Sequence, residues 1–220
     1  MTVKCAICKT KPCRDGITDE TKLPSFCPIE NHKNLIEETT KKYQNQDIKD
    51  FFLSAALTEK ECYDEKMAKE EGKIVPLRPR IKEIAEFAKK IGAKKLGMAF
   101  CSGLHDEARR ANAILENHGL EIASVMCSCG SIDKKEVGIP PEYRIRDQNN
   151  FEAACNPLLQ AELLNREGTA FNILVGLCVG HDMLFTSQSK APVTTLVVKD
   201  RLTGHNPVIT LYSRYFKDIV

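Results

Sequence analysis

Leu174-Val175-Gly176-Leu177-Cys178-Val179-Gly180-His181-Asp182 joins a short apolar run to a glycine-flanked Cys-x-x-His-Asp. The run has the length of a buried strand in a parallel sheet. Its glycines allow a sharp turn out of the sheet. Residues 183–190 then read as a short helix. A thiol, an imidazole and a carboxylate are thus gathered just past the carboxyl end of a buried strand, where open α/β sheets bind ligands.

The same alternation extends to both sides. Ile81, Ile84, Ala85, Ala88 and Ile91 form one face of a helix closed by Gly92. Residues 95–101 make a first strand, 105–118 a second helix, and 120–126 a second strand. A long loop with Gly130, Gly138, Pro140 and Pro141 follows, and such loops are more often functional than idle. Asn156 caps a third helix that has Pro157 in its first turn and Gly168 at its end. Residues 171–177 and 193–199 complete the strands, and Asn206-Pro207 opens a last helix through Tyr215. Strands alternating with helices predict a parallel, Rossmann-like three-layer α/β fold with right-handed crossovers.

In that fold every strand ends at one edge. Cys101, Cys127, Cys129, Cys178 with His181, and Lys199-Asp200-Arg201 all fall there. Cys155 and His205 each stand directly before an Asn-Pro pair. Adjacent strands lie about 4.8 Å apart, so cysteines at neighbouring strand ends come within reach of one cluster or ion. The candidate cofactor-binding set is therefore Cys101, Cys127, Cys129, Cys155, Cys178 and His205. Cys155, Cys178, His181 and Asp182 are the candidate catalytic residues. Cys155 beside a helix start is either a reactive thiol or a staple for that helix. Asp182 either orients His181 or simply starts a helix.

The first 32 residues form a different segment, with Cys5, Cys8, Cys13 and Cys27 spaced C-x2-C-x4-C-x13-C. So short a polar segment buries little area, and four thiolates around a metal would hold it. A single C-x2-C pair is less than paired zinc knuckles usually supply. Cys27 precedes a proline, as the last cysteine of some iron–sulfur runs does. The reading leans to a [4Fe–4S] cluster and keeps zinc as its alternative. Between this knuckle and the body, residues 33–79 read as a helical linker packed on the body. A helix is expected from Asp47 to Glu71, ended by Gly72, with a shorter one over 35–43. The body then runs from residue 80 to 220.

The chain has 220 residues, ten cysteines and a formal charge of +2 with acids and bases interleaved. No basic stripe supports nucleic-acid binding. No apolar run approaches the roughly 18 residues of a membrane span. The opening Met-Thr-Val-Lys-Cys has no signal-peptide core, so the expected location is the cytoplasm, where cysteines serve metal or redox chemistry more than disulfides.

The Cys5-x2-Cys8 start, Lys-Leu-Gly-Met-Ala-Phe-Cys over 95–101, Gly-Leu-Cys-Val-Gly-His-Asp, Ala-Pro-Val-Thr-Thr-Leu-Val-Val-Lys-Asp-Arg and His-Asn-Pro carry a resemblance over nearly the whole chain. The chain resembles an uncharacterised prokaryotic domain-of-unknown-function family, common in methanogens and anaerobic bacteria and catalogued as metal-binding. The resemblance implies metal binding and an anaerobic setting, and brings no reaction. Two functions compete. One is a metalloprotein with two cysteine sites, the sheet-edge site working as an iron–sulfur or thiol-dependent oxidoreductase on a small molecule or redox partner. The other is a non-enzymatic zinc or iron sensor or carrier, or a zinc-stabilised α/β binding domain.

Overall fold

The computed structural model describes residues 2–146 and 150–219. The chain divides into two compact units, 1–57 and 58–220, with the division falling inside one helix.

The first unit opens with single 3-10 turns at Cys5–Ile7 and Glu20–Lys22. Helices α1 (Pro28–Asn31), α2 (Lys33–Lys42) and α3 (Gln46–Lys60) follow. Side chains rather than a deep core tie its turns. The Asn31 amide donates to the carbonyls of Ser25 at 2.7 Å and Cys27 at 2.9 Å. Lys33 pairs with Glu20 at 2.5 Å and Glu30 at 2.9 Å.

In the second unit, α4 (Glu65–Glu71) precedes α5 (Arg80–Lys90). The single helix expected over 47–71 is broken at 61–64. Asp64 provides the reason, because its carboxylate caps α4 by accepting from Met67 N at 2.9 Å. The backbone there is also claimed by the returning chain: Asp64 N donates to Val75 O at 2.9 Å, and Leu77 N to Cys62 O at 2.7 Å. Cys62 is buried and gives its thiol hydrogen to Thr58 O, so it acts as a small core residue.

The body alternates β1 (Lys95–Phe100), α6 (His105–Asn117), β2 (Glu121–Met126), α7 (Pro157–Glu167), β3 (Asn172–Val175), α8 (His181–Gln188) and β4 (Val193–Val197). A short α9 (Val208–Tyr212) lies beyond. Among the described residues the four strands form one sheet in the order β2-β1-β3-β4, every pair parallel. The expected α/β fold is thus present. β1 and β3 occupy the centre, and their residues are almost all buried; the edge strands β2 and β4 are half-covered. α5 packs with α6 and α7 with α8, and the general right-handedness of parallel crossovers assigns the two pairs to opposite faces of the sheet.

Two local expectations differ. β3 ends at Val175 because Gly176 turns into positive φ, +65°, with Leu104 packed where a Cβ would stand. Asn206 does not cap the last helix through its side chain; Ser213 starts a separate 3-10 turn over Arg214–Phe216.

Gly97 sets the distance between β1 and β3. A Cβ there would lie 1.8 Å from Asn172 Oδ1 and 2.9 Å from Leu164 on α7. Asn172 is fully buried, accepts from the Thr169 hydroxyl and donates to Ser189 Oγ, both at 2.8 Å. Backbone and a bonded amide cannot yield cheaply, so Gly97→Ala should destabilise the body by about 3 kcal/mol. Urea unfolding of the variant against the unaltered chain measures this.

A thiol site at the switch point

The order β2-β1-β3-β4 means that the chain leaves β2 and returns to the far side of β1. The connections from β1 and β3 therefore part in opposite directions. In open α/β sheets the carboxyl ends at such a switch point are the usual ligand position. Cys101 is the first residue after β1, and its amide continues the ladder to Val175 O at 3.1 Å. Cys127 is the first after β2, with its amide on Phe100 O at 2.8 Å. Cys178 follows β3 by three residues, and Cys155 precedes α7 by two.

Cys155 is brought back to the sheet by a strap, residues 128–154. Asp133 and Ala153 form an antiparallel bridge, and Ala154 N donates to Ile132 O at 2.8 Å. Asp133 is ion-paired with Arg144 at 3.1 Å, both side chains 5% exposed. Lys134 pairs with Glu152, whose carboxylate also accepts from the amides of Ile145 and Arg146. Lys134 is the main reason that Glu152 is held at about 2, well below the ordinary carboxylate range. At the strap's end, Asn156 N donates to Cys127 O at 2.6 Å and Asn156 Oδ1 caps α7 through Leu159 N.

Cys127 is the middle thiol. Its sulfur accepts from Ser102 N at 3.3 Å and neighbours the thiols of both Cys101 and Cys155. The interaction with Cys127, followed by burial, pushes Cys101 up to about 12, although Lys199 Nζ donates to its sulfur at 2.6 Å. Cys155 moves the other way: a hydrogen bond with Cys127 lowers it, against burial and the nearby Cys178 and Cys101. Arg201 donates to Cys178 Sγ at 3.1 Å. Four of the expected cysteines, with two cations, thus share one neighbourhood.

The other candidates stand differently. Cys129 is half-buried, and burial first, then Cys127, raises its thiol. His205, at φ +68°, accepts from Asp200 N on Nδ1 at 3.1 Å and shapes the turn after β4, which places the ring proton on Nε2 and gives the imidazole a structural role there. His181 is the first residue of α8, and its Nδ1 is buried without a hydrogen-bond partner among the described residues. Asp182 accepts from Met183 N at 2.8 Å, the helix-starting reading of its role. In the first unit, Cys5 and Cys13 are exposed, Cys8 is half-buried beside Thr10, and Cys27 is buried at the start of α1. Among the described residues the cysteines are free thiols, and no three His, Cys, Asp or Glu side chains stand close enough to hold one ion.

Sequence reading missed the Ser102 amide and Gln160. Gln160 lies one turn after Asn156, fully buried, donating to Phe100 O at 3.3 Å and Val125 O at 2.7 Å. Its spacing from the cap was the available signal. A cleft of about 220 Å³ lies on the other face, between Met98, Phe100 and Ser124 of the sheet and His105, Arg109 and Asn112 of α6.

Fold and side-chain placement together describe a doubly wound α/β protein whose switch point gathers cysteine thiols. The profile of the family described as "Protein of unknown function (DUF1847)" matches residues 27–196, and the chain belongs to that family. It is also 38% identical over 214 residues to a protein of Methanocaldococcus jannaschii named as uncharacterized, covering 97% of this chain and 96% of that one. The family match takes in all the sheet-edge cysteines together with Cys27.

Two outcomes follow from the local chemistry. Because the thiolate is the nucleophile, Cys155 should react with iodoacetamide at lower pH than an ordinary thiol, while Cys101 stays unmodified to about pH 10. Peptide mass spectrometry across pH 7–10 reads the order. Glu152→Gln removes the charge that answers Lys134, and should speed amide exchange at Ile145 and Arg146 severalfold with β1 unchanged.

Proposed function

We propose that this is a metal-binding protein whose working centre is formed by Cys101, Cys127, Cys155 and Cys178. The observation that carries the reading is the meeting of four thiols, from four separate segments, with two cations at the switch point. Thiolates select zinc and iron–sulfur clusters over hard cations. A cluster suits thiols spaced too widely for one ion, because its iron and sulfide separate the ligands. The unpartnered His181 Nδ1 adds one imidazole donor near Cys178. Lys199 and Arg201 would offset the negative charge of bound thiolates, and hydrogen bonds to the sulfurs would tune a cluster's potential. The N-terminal Cys5, Cys8, Cys13 and Cys27 form a second site in this reading, taking a [4Fe–4S] cluster or zinc on closing around it. A cytoplasmic oxidoreductase is the activity such a centre would serve.

One observation favours a second reading. The lowered Cys155 thiol beside Cys127 is the arrangement of a dithiol that exchanges without metal.

Anaerobic purification followed by iron, sulfide and zinc analysis tests the proposal. About four iron and four sulfide per centre are expected, with one centre lost in Cys178→Ser while the fold is retained. Unchanged metal content in Cys178→Ser and in Cys127→Ser would overturn the switch-point centre and leave the dithiol reading.

A further inference from the structure

Cations with restricted exposure in the body have carboxylate partners. Glu61 serves Arg78 at 2.9 Å and Lys90 at 2.7 Å. Lys95 has Glu121 and Glu167, Lys134 has Glu152, and Arg144 has Asp133. Lys199, of like exposure, departs from this pattern, and the exposed Arg201 stands two residues on in the same loop. Among the described residues their side chains are bonded to Cys101 and Cys178 sulfurs, and neither forms an ion pair with a carboxylate. Asp200, which lies between them in sequence, is engaged elsewhere, accepting from Leu202 N and Thr203 N, and Asp182 at the start of α8 accepts from Met183 N. A half-buried ammonium without a carboxylate partner is poorly compensated, and an anion completes it.

Space is also left for one. Gly103 borders this point: a Cβ there would stand 3.6 Å from Lys199 Nζ and 4.0 Å from Cys101 Sγ, so hydrogen at that position keeps the ammonium approachable. Arg201 is exposed and Cys178 half-exposed, so the pair can be reached from solvent.

From this geometry we infer that the switch-point site takes a small molecule bearing an oxyanion group, a carboxylate or phosphate, held by Lys199 and Arg201 and presented to the Cys178 and Cys101 sulfurs. The inference deepens the reading of the switch point as the working site, and it does not depend on which metal the thiols hold.

Two alkylating reagents that differ in charge test it on the reduced full-length chain. With both, a thiolate sulfur displaces iodide and forms a carbon–sulfur bond; iodoacetate is anionic and iodoacetamide neutral. Cys5, exposed and bonded to no cation among the described residues, is the internal reference. The iodoacetate-to-iodoacetamide rate ratio at Cys178 should exceed that at Cys5 by about tenfold at low salt. The excess should shrink as salt is added and vanish in Arg201→Gln combined with Lys199→Gln. Equal ratios at Cys178 and Cys5 in the unaltered chain would overturn the inference, with no variant needed. Millimolar inorganic phosphate or acetate should slow iodoacetate at Cys178 alone, and whichever does so names the oxyanion; protection by neither also overturns it. Metal analysis of the same sample keeps the two proposals apart. Metal without charge selectivity defeats this one only, and selectivity without metal leaves it standing.

Discussion

The Asn172 side chain fills the volume where residue 97 would carry a Cβ, and the rest of the body depends on that contact. β1 and β3 pair there, Gly97 against Asn172, before the sheet diverges toward its carboxyl edge. The buried amide is not left wanting, since Thr169 and Ser189 answer it and Ser189 passes its own hydrogen to Ala191 O. A satisfied polar network in a core fixes register as well as distance. Register is what matters at the far end. Moving β3 by one residue would exchange its two faces and carry Cys178 away from β1.

The fourth thiol needs a different device. Cys155 is neither a strand end nor close in sequence to one, and reaches the site over a strap of 27 residues, 128–154. Among its described residues, regular structure is limited to two short 3-10 turns, so packing alone would hold the strap weakly. Its charges compensate. The Asp133–Arg144 pair is nearly excluded from water, and Lys134–Glu152 is little more exposed. Pairs so placed cost desolvation to form, but breaking one leaves a buried charge alone. They therefore specify one path for the strap more than they stabilise it. Glu152 does the most, since one carboxylate gathers Lys134 and two backbone amides.

The sheet was legible because its signals are local. Residues 95–100 are nearly all apolar, and Gly92 and Gly119 mark the helix ends around them. Cys101, Cys127 and Cys178 could be assigned to one edge from strand direction alone. Their hydrogen-bond partners could not. Lys199 follows β4, an edge strand, yet its ammonium meets a sulfur after β1, 98 residues earlier. Such pairings depend on strand order, which alternation does not specify. The break at 61–64 was hidden for a related reason: helical spacing continues through it, and the Asp64 cap prevails with the return of Val75–Leu77, which claims the backbone there. The N-terminal cysteines show the opposite limit. Their spacing is suggestive, but thiols in a segment with so small a core are not oriented by packing, and any convergence must come from a ligand.

Thiol protonation links the site's architecture to its chemistry. Thiols that interact release their protons as a group rather than one by one. Cys127 shifts its two neighbours in opposite directions, raising Cys101 and lowering Cys155, so the first negative charge belongs on the Cys155 side. Lys199 faces the side that keeps its proton. In the free protein that placement looks inverted, with the ammonium against a neutral thiol. It becomes favourable when the Cys101 proton is displaced by a metal, or when an oxyanion settles beside the ammonium. A metal must remove the proton of Cys101, which binds more tightly than an ordinary thiol proton, so binding through that sulfur strengthens as pH rises. Either event brings negative charge to the cations of the β4 loop, and each would lessen the other's electrostatic gain. If both bind, the two kinds of ligand would be coupled through Lys199 by charge alone, without movement of the sheet.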